Sequence, residues 1–246
     1  MSLGKRNHLL NCHDLSLRET RRSISDGPNK ITVFYSNIQN QLLANHWSNL
    51  LASIPFEQQA KILNFYNIID QRRALLGRLL ISYGLRYYEY PPETLAKLKI
   101  SNFGRPSIDA PIDFNLSHSG EWVILAITNL GRVGVDIEKI RDVNLSMYGQ
   151  VMTSPEWAMI FRSQNQKKEF FRLWVKKESL IKANGKGLSI PLNQIEIIDE
   201  QVELEGVPWF LKEFRLDSQH MGYLCCDLDN YEIDLIEAEI GLAQSV

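Results

Sequence analysis

Between Phe114 and Glu138 the chain carries three β-type runs, FNLSHSG, WVILAIT and GRVGVDIE, separated only by short turn signals. Phe114 and Leu116 alternate with Asn115 and Ser117, as on a half-buried strand, while residues 122–128 are apolar enough to be central. Connections this short predict an antiparallel meander that brings Ser117 and His118 near Asp136 and Glu138. Side chains alternate along a strand, so Asp136 and Glu138 share one face and Val133, Val135 and Ile137 the other. Two carboxylates about 7 Å apart along a strand repel each other unless water, a cationic side chain or a hard cation compensates them. Oxygen donors of this kind suit Mg2+ better than zinc or copper. An isolated acidic pair is also what a strand end emerging into solvent looks like.

Upstream, residues 1–29 are polar, with Arg18, Arg21, Arg22 and the turn-like Asp26, Gly27 and Pro28, and read as a flexible N-terminal extension. Residues 30–129 form a first lobe. It opens with a strand at Ile31–Tyr35, followed by short helices through Leu43, Trp47 and Ile62, then a long helix from about Asp70 to Tyr83. Arg72 and Arg73 fall in the first turn of that helix, where the dipole disfavours cations unless an anion is near. Residues 130–228 form a second lobe. Ser154, Pro155 and Glu156 signal a helix start, and a longer helix runs from about Gln166 to Ala183 with Gly185 as its stop. Strands are expected at Ile195–Ile198, Trp209–Leu216 and Tyr223–Leu228, and residues 229–246 read as an acidic tail. Helices and strands recur in each half, the pattern of an α+β protein with two related lobes.

A formal net charge of -2 removes any general drive toward nucleic acid or anionic membrane, so anion binding has to be local. Cys12, Cys225 and Cys226 show neither zinc-ligand spacing nor a disulfide framework, which fits a reducing, cytoplasmic compartment. No apolar run approaches the length of a membrane span or a secretory leader.

The long helix carries WVKKESLIK at 174–182, where Phe171, Val175, Glu178 and Lys182 share a face and Lys177 lies one step round. Glu178 with Lys182 has the spacing of a solvated ion pair, contributing a few tenths of a kcal/mol. Set beside Asp136, Glu138, Ser117 and His118, the same residues become a cation site flanked by cationic and hydroxyl groups. That equipment suits a Mg2+-bridged pyrophosphate. Neither a phosphate-binding G-x-x-x-x-G-K-[ST] loop nor a dinucleotide fingerprint is present.

On GRP at 104–106, FNLSHSG at 114–120, GVDIE at 134–138, SPEW at 154–157 and WVKKESLIKANGKGLS at 174–189, the chain resembles the surfactin-type (Sfp-type) 4'-phosphopantetheinyl transferases. The motifs keep the family's order and spacing, and the similarity extends from about Ile31 to Cys226. The resemblance implies a pseudo-twofold, two-lobed α+β fold, each lobe an antiparallel sheet with packed helices, acting as a monomer with coenzyme A between the lobes. It implies transfer of the 4'-phosphopantetheine arm from coenzyme A to a serine of an apo acyl or peptidyl carrier protein in fatty acid, polyketide or nonribosomal peptide synthesis. Adenosine 3',5'-bisphosphate is the other product. By position Asp136, Glu138 and Glu178 correspond to the Mg2+ ligands; Glu178, at the metal edge and on a rigid helix, is the candidate base, directly or through a metal-bound water. Arg73, Arg105, Ser117, His118, Lys177 and Lys182 correspond to coenzyme A or phosphate contacts, and Lys61 to a basic residue near the 3'-phosphate. Three departures stand out: Arg105 where the family usually has lysine, Val175 where it has a small hydroxyl or thiol residue, and sparser basic residues around Lys61.

Two other classes of function use similar equipment. A binding module without turnover would not need Glu178, and a metal-dependent phosphohydrolase would need a water-activating pair that the motifs do not supply.

Overall fold

The computed structural model describes residues 29–240 apart from Ile198 and Glu239, so the N-terminal segment read as an extension lies outside the described residues except for Asn29. Asn29 already belongs to a strand, β1 (Asn29–Asn37), whose Ile31, Val33 and Phe34 are fully buried. Short helices α1 (Gln41–Asn45), α2 (Trp47–Ala52) and α3 (Phe56–Leu63) lead to the long α4 (Ile68–Tyr87). Asn67, not Asp70, caps α4: its side-chain oxygen accepts the Ile69 N–H, and Asp70 sits in the first turn. A small ribbon of β2 (Lys99–Ile100) and β3 (Pro106–Ser107) precedes the hairpin β4 (Asp113–Ser119) and β5 (Trp122–Thr128).

The second lobe comprises β6 (Val133–Lys139), α5 (Ser154–Arg162), α6 (Gln166–Asn184), β7 (Gln201–Leu204), β8 (Val207–Phe214) and β9 (His220–Cys226). Its sheet has the order β6-β9-β8-β7, antiparallel throughout. Gly185 ends α6 in the left-handed region at φ 86°, as its spacing predicts. Ile195–Ile197 are not in a strand. Ile195 and Ile197 are buried in a connecting segment, and the strand forms later at β7.

Two expectations are overturned. The three runs from Phe114 to Glu138 do not form one meander: β4 and β5 pair as a hairpin, but β6 leaves to become the edge of the second sheet. The segment read as an acidic tail contains β10 (Tyr231–Glu237), which returns to the first lobe and pairs in parallel with β1. Tyr231 explains that return, because its ring is buried and its hydroxyl donates to the Phe210 and Leu224 carbonyls. The first sheet is therefore β10-β1-β5-β4.

Helix α4 covers β1 and β5, and α6 covers β6 and β9, which gives each lobe a helix-on-sheet core. A further apolar cluster joins the lobes, with Ile31, Val33, Ile124 and Ala126 of the first sheet packed against Val135, Ile137, Phe214 and Leu224 of the second. No helix among the described residues is long and apolar enough to cross a membrane.

Candidate functional site

The site is built where the edge strands of the two sheets, β4 and β6, lie side by side. Every second N–H of an edge strand lacks a strand partner. Here β4 supplies side chains instead: Asp113 accepts from Val133 N–H at 2.8 Å, Asn115 from Val135 at 3.0 Å, Ser117 from Ile137 at 3.4 Å and Ser119 from Lys139 at 3.0 Å. The period of two in D-F-N-L-S-H-S is thus a ladder of acceptors, which holds β6 in parallel register beside β4 across the lobe boundary. The proximity of Ser117 to Asp136 predicted from the meander is real, but this ladder produces it.

On the other side of β6, Gly134 lets α6 approach. A Cβ there would lie 2.1 Å from the Ser179 carbonyl oxygen and 2.3 Å from Ala183 N, so backbone meets backbone and only glycine fits. That contact brings Glu178 and Lys182 to the carboxylate face of β6. Lys182 Nζ donates to Asp136 Oδ1 at 2.7 Å and to Ser117 Oγ at 3.0 Å, while Ser117 Oγ donates to the same Oδ1 at 2.7 Å. Asp136 is buried, and its other oxygen, Oδ2, has no partner at all. A buried carboxylate oxygen without a donor is costly unless something cationic meets it.

Glu138 accepts at Oε2 from Ser119 Oγ at 2.7 Å, and burial, helped by the Asp136 charge, raises its carboxyl above the usual range. Glu178 is pushed up to about 7, first by burial and then by the charge of Asp136, with Glu138 adding to the effect and Lys182 opposing it. The three carboxylates therefore feel one another. Their oxygens are not all within 4.8 Å of one another, since the trio of ligand atoms that meets that limit among the described residues is a different one. Three hard oxygen donors, one of them orphaned and buried, fit a hard divalent cation such as Mg2+.

On the first-lobe side, Arg73 Nη2 donates to the Gly120 carbonyl at 2.7 Å and Nη1 meets Asp70 at 3.3 Å, leaving its buried Nε unpartnered. His118 is exposed at the end of β4. Partial burial lowers its imidazole below the ordinary value, and the charges of Arg73 and Lys182 lower it further. Lys61 is exposed in the last turn of α3.

Two residues expected at phosphate sit elsewhere. Lys177 is fully buried: its ammonium donates to Glu156 Oε2 at 2.7 Å, to the Leu192 carbonyl at 2.7 Å and to the Ile195 carbonyl at 2.6 Å. Its position on the stripe of Phe170, Leu173, Trp174, Leu180 and Ile181 was the sequence signal for that burial. Its partner Glu156 does more than satisfy a helix dipole. It closes a capping box with Thr153, which takes the cap role expected of Ser154, and also accepts the Ile197 N–H at 2.9 Å. Arg105 is a strut. Its guanidinium meets Asp113 Oδ2 at 2.6 Å, the Val133 carbonyl at 3.0 Å and the carbonyls of Lys182 and Ala183 at the end of α6. A cation on a helix C-terminus is well placed. Val175 is buried in the second core, which accounts for its lack of a polar group.

The compact trio is Glu121, Asp217 and His220, which sequence reasoning missed because Glu121 lies in the β4–β5 turn and the other two lie at or just before the start of β9, far along the chain. Asp217 accepts from Trp122 Nε1 at 2.8 Å, from His220 Nδ1 at 2.9 Å and from the Gln219 and His220 N–H groups at 2.7 and 2.9 Å. Burial opposes its ionisation, but the hydrogen bonds from His220 and Trp122 hold its carboxyl at about 2. Glu121 already pairs with Lys139 at 3.1 Å. Both carboxylates are paired with protein groups, while His220 Nε2 is buried without a hydrogen-bond partner 3.9 Å from Glu121, and the trio fastens the β4–β5 turn to the second lobe.

The profile of the 4'-phosphopantetheinyl transferase superfamily matches residues 132–234, and that of the N-terminal part of such transferases matches residues 41–130. The chain is 35% identical over 176 residues to the 4'-phosphopantetheinyl transferase gsp of Aneurinibacillus migulanus, covering 70% of this chain and 73% of that one. It is 31% identical over 191 residues to the 4'-phosphopantetheinyl transferase Sfp of Bacillus subtilis, covering 73% and 84%. To the L-aminoadipate-semialdehyde dehydrogenase-phosphopantetheinyl transferase of Mus musculus it is 28% identical, covering 71% and 67%. The two profiles meet at the boundary where β6 leaves the first sheet, and the relatives span both lobes and the ladder between them. The chain is a member of the Sfp-type 4'-phosphopantetheinyl transferase family.

Proposed function

We propose that this protein moves the 4'-phosphopantetheine arm of coenzyme A to a serine hydroxyl of apo acyl or peptidyl carrier proteins, with Asp136, Glu138 and Glu178 holding Mg2+. The observation that carries the assignment is the buried, unpartnered Oδ2 of Asp136 on a face shared with two further carboxylates whose ionisation burial and mutual repulsion oppose. Bound Mg2+ supplies neutralisation of pyrophosphate charge and of the charge that grows in the transition state. Lys182 and Ser117 orient Asp136 and present N–H and O–H donors to the same edge of the cleft. His118, exposed beside Arg73, donates to a phosphate oxygen. Glu178, on a rigid helix at the edge of the cation site, takes the proton of the attacking serine, directly or through a water. The serine oxygen bonds to the β-phosphorus of coenzyme A, the bond to the bridging oxygen breaks, and adenosine 3',5'-bisphosphate leaves with that electron pair. Lys61 serves the 3'-phosphate from α3.

The carrier docks on the segment from Leu145 to Phe161, where Met147 and Phe161 are 81% and 60% exposed. Tyr148, packed on Phe170 and Trp174, supports that surface from beneath, and Met152 belongs to the core. The enzyme acts as a cytoplasmic monomer. Both halves of the cleft come from one chain, and Cys225 and Cys226 are buried free thiols.

The test is incubation of an apo carrier protein with coenzyme A and Mg2+. A mass gain of about 340 Da, the size of the transferred arm, supports the assignment. Hydrolysis of coenzyme A with no gain on any of several carriers overturns it in favour of a phosphohydrolase.

A further inference from the structure

The ladder between β4 and β6 has two kinds of rung. Asp113 and Asn115 only accept, and their neighbours on β6 are Val133 and Val135. Ser117 and Ser119 do two things at once, because a hydroxyl is both acceptor and donor. Each accepts the N–H of the residue twenty positions on, and donates to the carboxylate immediately before that residue: Ser117 to Asp136, Ser119 to Glu138. Asp136 has a second anchor in Lys182. Glu138, a longer side chain with one more rotatable bond, is held by the hydrogen bond from Ser119, at 2.7 Å.

We propose that Ser119 is a positioning residue for the transfer reaction: it fixes Glu138 by one carboxylate oxygen so that the other is presented to the metal. The proposal rests on the reading of Glu138 as a metal ligand. The hydroxyl is itself held still. Lys139 N–H binds it from β6, and the turn that follows it is fastened by Arg73 on the Gly120 carbonyl and by Trp122 on Asp217. Ser119 belongs to the first lobe and Glu138 to the second, so the orientation of a ligand in one lobe is set by the other. Hydrogen-bond partners of ligating carboxylates are worth roughly 10- to 100-fold in metal affinity.

The experiment measures Mn2+ binding to the full chain in the presence of coenzyme A by electron paramagnetic resonance of free Mn2+, which needs no turnover. Four variants are compared: Ser119→Ala, Ser119→Thr, Asn115→Ala and Glu138→Gln, with thermal melts for each. The expected result is about ten-fold weaker binding in Ser119→Ala, recovery in Ser119→Thr, and a lowered Tm with unchanged Mn2+ affinity in Asn115→Ala, whose rung touches no carboxylate. Full affinity in Ser119→Ala beside a loss in Glu138→Gln overturns the positioning role and leaves the ligand reading standing. Full affinity in Glu138→Gln overturns the ligand reading and the proposal with it. Equal losses in Ser119→Ala and Asn115→Ala overturn it as well, since loosening of the lobe boundary would then explain both.

Discussion

Replacing Lys177 by methionine tests whether this lysine serves the fold or the phosphate. Lys177 and Glu156 both have wholly buried side chains, and the ammonium answers one carboxylate and two carbonyls within 2.6–2.7 Å. Lys177→Met leaves the Glu156 carboxylate buried with only the Thr153 and Ile197 N–H donors. Removing one partner of such a pair costs about 3–5 kcal/mol, a large share of the roughly 5–15 kcal/mol that holds a domain folded. With a urea slope of about 3 kcal/mol/M, the unfolding midpoint falls by about 1–1.7 M. The double variant Lys177→Met, Glu156→Gln removes both charges and recovers part of the loss, so the cycle gives a coupling well above the roughly 0–1 kcal/mol of an exposed pair. Tryptophan fluorescence follows the melt, because Trp157, Trp174 and Trp209 all lie in the second lobe. The folded fraction keeps its KM for coenzyme A. A variant as stable as the parent but with KM raised ten-fold would refute the structural reading and return Lys177 to the phosphate.

Glu178→Ala abolishes transfer while coenzyme A affinity, measured by calorimetry, falls much less; nearly unchanged turnover removes Glu178 from the mechanism. In metal-free protein the same residue makes stability depend on pH. Its folded-state carboxyl is raised to about 7, so the folded state keeps a proton that the unfolded chain releases near 4.5. Stability is full below that lower value and declines as pH climbs to about 7, by about 2–3 kcal/mol after allowance for its open side. Urea melts in chelator at pH 5 and 8 should show this decline in the parent and not in Glu178→Gln; equal slopes would refute it. Gly134→Ala forces α6 off β6, costing more than the roughly 1–3 kcal/mol of ordinary overpacking because backbone atoms stand in the way. A Tm within a degree or two of the parent would contradict that geometry. Alanine at Met147 or Phe161 raises KM for the carrier and leaves KM for coenzyme A alone, and unchanged carrier kinetics would move the docking surface elsewhere.

Local signals were legible wherever the cause was local. Gly185 ends a helix because its φ is positive, and the run WVILAIT is a central strand because both its faces are covered. The opening ambiguity of Asp136 and Glu138 is decided by burial, which no spacing reveals. What sequence pattern missed was long-range. Nothing in the turn between β5 and β6 says that the strand will leave its sheet, because the strand it joins, β9, lies far along the chain, and β4 meets its other edge with a row of side chains. Lys177 and Arg105 carry the right charge for phosphate, and only the carbonyls around them show that the charge is already answered.

The return of β10 to β1 bears on the order in which the protein is made. The first lobe's sheet is completed by residues 231–237, which are made after the entire second lobe, so β1 waits through that interval with one edge unpaired. During that interval Ile31 and Val33 lie in an open edge strand, the kind of surface that pairs with other chains. A ribosome-bound chain ending before Tyr231 therefore carries the makings of a site with a lobe that is not closed, and emergence of β10 is what closes it.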